Sequence, residues 1–196
     1  MFAIFLDDYH VRRETGMVAR AQVARFVETQ LGPSDMIGVM YPLQPTSAIR
    51  FTRNHDNIAK AVSQFLGRKF DYTPLNPMEE QYANYPTEMV ERIRNQVSLS
   101  AIKGLLVHMG SLKEGRKALL LVSEMPGVDE SGVDVTIEKN ILTIKGTVNE
   151  QVPAGYKLSY EEYGIGDYER SFTLPNEIDR DGVQASIKDG VLKLTL

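Results

Sequence analysis

The chain has 196 residues, 42% of them hydrophobic and 24% charged, a composition typical of one medium globular domain or two small ones. It contains no cysteine, which excludes disulfides, thiol catalysis and zinc sites built on thiolates. Residues 1–124 carry 15 Lys/Arg and 13 Asp/Glu, whereas residues 125–196 carry 7 and 13. Because nucleic-acid binding needs a basic face, the acidic second part argues against a nucleic-acid partner.

Hydropathy argues against a membrane protein. No stretch approaches the roughly 20 apolar residues of a membrane-spanning helix. The first apolar run, Phe2–Leu6, is followed at once by Asp7 and Asp8, without the basic start and the cleavage site of a signal peptide. We therefore predict a cytoplasmic protein that binds neither membranes nor nucleic acid.

Short apolar runs alternate with helical stripes over residues 1–124. The runs are apolar on both faces, as in a buried parallel sheet, and predict strands at Phe2–Leu6, 36–40 and Ala118–Val122. Apolar residues at helical spacing predict helices over about 15–31, 54–67 and 87–109. This alternation predicts an α/β fold with a parallel sheet. The segment 69–86 shows no period and is predicted as a loop or insertion, with Glu79 and Glu80 in solvent.

The period changes to two after residue 125. Apolar and polar residues alternate over 133–138, 142–145, 172–174 and 192–196, and turn-forming residues separate these runs. Such runs are typical of half-buried antiparallel strands. They predict an all-β, immunoglobulin-like sandwich for residues 125–196.

Five motifs of this second part resemble the alpha-crystallin domain of small heat shock proteins, and they occur in that family's order. They are the turn at Pro126 and Gly127, the strands at 133–138 and 142–146, a segment at 160–175 similar to the bacterial dimerisation loop and its following strand, and the signature formed by Ala185, Gly190, Val191 and Leu192. The resemblance implies a stress-response chaperone that holds partly unfolded client proteins without ATP and self-associates as a dimer or a larger oligomer.

The same resemblance implies a dimer interface. Arg170 matches the position of the family's interface arginine, which pairs with acidic residues. Acidic residues near it in sequence are Glu161, Glu162 and Asp167. The predicted interface residues are Tyr163, Gly166, Tyr168 and Arg170. The alternative is that Arg170 is an ordinary exposed arginine on a strand.

Residues 1–124 resemble part of a von Willebrand factor A domain of the diverged bacterial kind. The resemblance lies in Phe2–Leu6 with the two aspartates that follow, in the strand at 35–40 and in residues 115–124. In that family the first strand ends in D-x-S-x-S, whose hydroxyls help to hold a divalent cation, but here Tyr9 and Val11 occupy the serine positions. Asp7 is either a remaining ligand, with Thr73 as a partner, or merely the end of a strand. We predict no metal site and no cofactor.

The two resemblances divide the chain into residues 1–124, a partial von Willebrand factor A-like domain, and residues 125–196, an alpha-crystallin domain. Both need the strand Ala118–Val122. We expect this strand to pair beside Phe2–Leu6, because its continuous apolar character suits a strand buried on both faces. The second part would then lack its opening strand and expose an unpaired edge.

No catalytic motif stands out. The sequence contains no nucleophile elbow, Walker loop or G-x-G-x-x-G loop, and His108 is predicted to pack on the third helix. Asp7 and Asp8 are adjacent and would point to opposite faces of a strand, which makes a poor acid–base pair. We predict that the chain is not an enzyme. Two functions remain: a holdase module, or a protein-interaction or adhesion module of von Willebrand A type with a degenerate cation site.

Overall fold

The computed structural model describes residues 1–113, 116–125, 128, 130–148 and 167–174, and the backbone of residues 184–188 and 191–195. The strands are β1 (Phe2–Leu6), β2 (Ile37–Met40), β3 (Ala118–Val122), β4 (Val133–Glu138), β5 (Ile141–Gly146), β6 (Tyr168–Thr173), β7 (Gln184–Lys188) and β8 (Val191–Thr195). The helices are α1 (Arg13–Gln30), α2 (His55–Ser63), α3 (Pro77–Glu80) and α4 (Thr87–Ser111), with short 3-10 helices at Thr46–Ala48 and Glu130–Gly132. None of the helices described is long and apolar enough to cross a membrane.

Two sheets organise these strands. The larger has the order β2-β1-β3-β8-β7 and the smaller the order β4-β5-β6. Strand β1 pairs with β2 and β3 in parallel, which confirms the predicted parallel sheet with helices in the first part. The strands of the second part pair antiparallel, as predicted.

Strand β3 belongs to both parts of the chain. On one side Leu120 lies opposite Ile4 of β1, and on the other side it lies opposite Lys193 of β8. The expected pairing with β1 is confirmed. The expected unpaired edge is wrong, because a strand has two edges and β8 occupies the second one.

The two faces of β3 are buried by different partners. Leu120 and Val122 belong to an apolar cluster with α1 and α2. Leu119 belongs to a second cluster, which contains residues of α4 together with Leu142 and Phe172 of the smaller sheet. Helix α4 and the smaller sheet therefore cover the same face of the larger sheet. The predicted sandwich is consequently not closed within residues 125–196 but continues through β3 into the α/β part.

The segment between α2 and α4 contains a buried ionic network, so the prediction that Glu79 faces solvent is wrong. Glu79 is only 2% exposed, and it accepts hydrogen bonds from Tyr9 Oη at 2.8 Å, Arg68 Nη1 at 2.9 Å and the backbone nitrogen of Leu75 at 2.7 Å. Arg94, 1% exposed, donates from Nη2 to the backbone oxygen of Asp71 at 2.6 Å. These bonds hold the irregular segment against the carboxyl end of β1.

Candidate functional site

A cavity of about 520 Å³ opens at the carboxyl ends of β1 and β3. Strand β1 lies between β2 and β3. Helix α1, which follows β1, packs on one face of the sheet, and α4, which precedes β3, packs on the other. In open α/β sheets, ligands bind in the crevice that forms at such a point. Asp7 follows β1 and Ser123 follows β3, and both line the cavity. The topology therefore makes this cavity the first candidate for a binding site.

Asp7 is the polar centre of the cavity wall, and it is only 4% exposed. Its Oδ1 accepts a hydrogen bond from Ser98 Oγ at 2.9 Å, and its Oδ2 accepts one from Ser123 Oγ at 3.2 Å. His10 Nδ1 lies 2.7 Å from the same Oδ2. Since an ionised carboxylate only accepts, Nδ1 carries the proton of this bond. The contact fixes the orientation of the imidazole.

The other imidazole nitrogen of His10 is unsatisfied. Nε2 is buried and has no hydrogen-bond partner among the described residues. Buried polar atoms are normally hydrogen-bonded, so an orphaned one beside a cavity indicates a missing partner. No hydroxyl of the described residues bonds to Nε2.

Lys69 supplies a positive charge to the same cavity. Its backbone nitrogen bonds to Val11 O at 3.0 Å. This approach depends on Gly67, where an added Cβ would lie 2.2 Å from the same carbonyl oxygen. The Lys69 side chain is half-buried, and burial lowers its pKa. No carboxylate of the described residues lies within ion-pair distance of it.

The remaining wall of the cavity is apolar and comes from both parts of the chain. Helix α4 contributes Leu99 and Ile102, and the smaller sheet contributes Val133, Ile144 and Phe172. The cavity therefore lies between the α/β elements and the strands of the second part. Such junctions are frequent positions for small-molecule sites.

Two of the predicted interface residues, Tyr168 and Arg170, also line this cavity. Arg170 is exposed, and its Nη2 donates to Asn95 Oδ1 of α4 at 3.0 Å. Asp167, a suggested partner, instead accepts a bond from the backbone nitrogen of Val148 at 3.0 Å. The dimer interface stays a prediction.

The other predicted motif residues divide between strands and undescribed positions. Ala185 lies in β7, and Val191 and Leu192 lie in β8, where Leu192 is opposite Leu121. The predicted residues outside the described part of the chain are Pro126, Gly127, Glu161, Glu162, Tyr163, Gly166 and Gly190.

The position of the suggested cation site is occupied by protein contacts. Tyr9 and Val11, which stand at the serine positions, are buried in the core. Thr73 is exposed, and its backbone nitrogen bonds to Asp71 Oδ1 at 3.0 Å. The part of the chain that the structure describes contains no group of three or more His, Cys, Asp or Glu side chains suited to a metal ion.

Sequence reasoning missed the cluster around Asp7. Ser98 and Ser123 are remote from Asp7 in sequence, and only the fold brings them together. The spacing of Asp7 and His10, three residues apart at the end of a strand, was the one local signal for the pair. His108 of α4 is a packed side chain, as predicted: its ring stacks against that of Phe51, with the ring centroids 6.4 Å apart.

Comparison with known proteins places the second part of the chain in a family. Residues 111–196 match the sequence model of the Hsp20/alpha crystallin family. The chain is 40% identical over 78 residues to a probable 15 kDa heat shock protein of Leptospira interrogans, a match that covers 40% of this chain and 59% of that protein. It is 30% identical over 109 residues to the 18 kDa antigen 1 of Mycobacterium avium, covering 56% and 73%.

A solved small heat-shock protein from Xylella fastidiosa is 30% identical, over 43% of this chain and 76% of that one, with a TM-score of 0.32. The chain belongs to the Hsp20/alpha-crystallin family, and the assignment rests on sequence. It spans 59% of the length of the Leptospira protein and 51% of that of the spore protein SP21 of Stigmatella aurantiaca. The matched region begins before β3 and so includes the shared strand.

No von Willebrand factor A fold is confirmed for the first part.

Proposed function

We propose that the chain is a holdase chaperone, which binds partly unfolded client proteins without ATP. The observation that carries the proposal is its membership of the Hsp20/alpha-crystallin family, whose relatives include named heat shock proteins. These relatives support a chaperone role. We propose further that residues 125–196 act as the alpha-crystallin domain and that β3 completes it.

The sheets offer a physical route for capture. Among the described strands, β4 and β6 are edges of the smaller sheet and β7 is an edge of the larger one. An edge strand presents unpaired backbone groups, to which an extended segment of another chain can add as a further strand. The net charge of −4 would help to keep a loaded complex in solution.

An aggregation assay tests this function. A heat-labile model enzyme is warmed with an equimolar amount of the chain, and light scattering is followed with and without ATP. We expect scattering to be suppressed equally in both conditions, whereas serum albumin at the same concentration leaves it unchanged. Scattering as strong as with albumin would rule out the holdase function.

Self-association by way of Arg170 is part of the proposal. Removing one partner of a hydrogen-bonded charge pair at an interface typically costs about 2 to 5 kcal/mol. Arg170→Ala should therefore lower the mean mass of the particle on dilution, measured by multi-angle light scattering. Arg92→Ala, which removes an exposed arginine of α4, is the matched control and should leave the mass unchanged. An equal mass for both variants would remove Arg170 from the interface.

A further inference from the structure

The cavity at the carboxyl ends of β1 and β3 has one polar wall and one apolar wall. The strand ends contribute Asp7 and Ser123, whereas α4 and the smaller sheet contribute apolar side chains such as Ile102 and Phe172. Its volume of about 520 Å³ is within the range of pockets that enclose small organic molecules. A ligand that fills it must combine a polar group with an apolar body.

The charges of the cavity define the polar group. Two carboxylates line it, but both are already engaged: Asp7 by Ser98, Ser123 and His10, and Glu124 by Arg12. These contacts occupy the carboxylate oxygens, so neither acid is open to a cationic ligand.

The ammonium of Lys69 and one nitrogen of His10 are the polar groups left available. Lys69 has no carboxylate partner among the described residues, and the buried Nε2 of His10 has no hydrogen-bond partner among them. Both line the cavity. A further cation on its wall, Arg170, donates to Asn95 Oδ1 and to the backbone oxygen of Glu169. An anionic oxygen of a ligand would satisfy the ammonium of Lys69, because an ammonium only donates hydrogen bonds. Nε2 of His10 is an acceptor while Nδ1 carries the proton, so it suits a hydrogen-bond donor such as water. The two neighbouring carboxylates disfavour a doubly charged head such as a phosphate.

We propose that this cavity binds an aliphatic monocarboxylic acid, with the carboxylate at Lys69 and the hydrocarbon chain against α4 and the smaller sheet. The site is formed by the first part of the chain together with the family strands. The proposed site goes beyond client capture, because it uses side chains of the cavity wall and not the backbone groups of the sheet edges.

Calorimetric titration of the full chain with decanoate tests the proposal, with 1-decanol as the uncharged ligand of the same chain length. We expect saturable binding of one decanoate per chain and at least tenfold weaker binding of decanol. Lys69→Gln should weaken decanoate binding at least tenfold, whereas Lys69→Arg, which keeps the charge, should retain it within about threefold. Lys60→Gln removes an exposed lysine of α2 and should have no effect.

A second pair of variants tests the location. Thr15→Trp adds an indole at the cavity wall and should weaken decanoate binding, whereas Thr29→Trp, at an exposed position of the same helix, should not. Circular dichroism establishes that each variant is folded. Decanol binding as tight as decanoate, an equal effect of Lys60→Gln and Lys69→Gln, an equal effect of the two tryptophan variants, or the absence of saturable binding would each overturn the proposal.

Discussion

Glu124 accepts hydrogen bonds from both the backbone nitrogen and the guanidinium of Arg12. The backbone nitrogen lies 2.8 Å from Oε2, and Nε lies 2.5 Å from Oε1. Burial raises the pKa of Glu124, but the hydrogen bonds and the charge of Arg12 lower it by more, so the pKa falls below its ordinary value of 4.5. The contact joins the start of α1 to the residue that precedes the second part of the chain.

This contact should stabilise the fold in a pH-dependent way. A carboxylate with a depressed pKa contributes stability above its unfolded pKa, and the contribution is lost as the pH falls through the folded value. Glu124→Gln should lower the free energy of unfolding by about 1 kcal/mol at pH 7. Urea denaturation should show this loss shrinking below pH 4, and Glu28→Gln, at an exposed site of α1, should show none. A loss of stability that is as large below pH 4 as it is at pH 7 would contradict this pH dependence.

The buried Glu79 should matter far more than its sequence neighbour. Glu79→Ala leaves Arg68 and Tyr9 without their shared partner, and breaking a buried ion pair in this way costs about 3 to 5 kcal/mol. Glu80→Ala, at an exposed position, should change stability by less than about 0.5 kcal/mol. Thermal and urea unfolding of the two variants measure the difference. Similar stabilities would show that Glu79 is not in the network.

Asp8 should destabilise the fold at neutral pH. Burial raises its pKa from 3.8 to about 6; Arg68 opposes this shift, while Asp7 and Glu79 add to it. Because the folded pKa is raised, the contribution of Asp8 to stability is fully present below its unfolded pKa. That contribution is lost as the pH rises through about 6. Asp8→Asn should therefore raise the free energy of unfolding by about 2 to 3 kcal/mol at pH 8. At pH 4 the gain should be small.

The control for Asp8 is Asp134→Asn, at an exposed position of β4, which should change stability little at either pH. Urea denaturation at pH 4 and pH 8 is the measurement. A loss of stability at pH 8 would mean that the contact of Asp8 Oδ2 with Arg68, at 3.8 Å, outweighs the cost of burial.

Divalent cations should not stabilise the chain. Asp7 already accepts bonds from two serines and from His10, and Tyr9 and Val11 replace the hydroxyls that a cation would need. A ligand present at 100 times its dissociation constant would add about 2.7 kcal/mol. We expect no change in melting temperature with millimolar magnesium. A rise that Asp7→Ala abolishes would reveal a site.

Periodicity predicted the elements well, because the burial of one or two faces leaves a direct trace in the sequence. The run Ala118–Val122 is apolar throughout, and the structure buries both faces of this strand. Periodicity does not report which neighbours occupy the two edges of a strand. The antiparallel partner β8 was missed for this reason, since backbone pairing leaves no mark on side-chain pattern.

The network of Glu79 failed prediction for a different reason. A charged residue in an aperiodic segment is usually solvated, and only the fold places it beside Tyr9 and Arg68. The cluster of Asp7, Ser98 and Ser123 has the same origin, because its members come from three separate elements of the chain. Local sequence could suggest only the pair of Asp7 and His10.

Strand β3 pairs with β1 on one side and with β8 on the other within the larger sheet, so it joins the α/β elements and the family strands into one folded unit. Hydrogen–deuterium exchange of the full chain, read by mass spectrometry on peptides covering residues 2–6, 118–122 and 191–195, tests this directly. We predict that the three segments exchange at similar slow rates and lose protection together as urea is added, since each is paired through β3. Residues 191–195 exchanging orders of magnitude faster than 118–122 would contradict the pairing of β8 with β3.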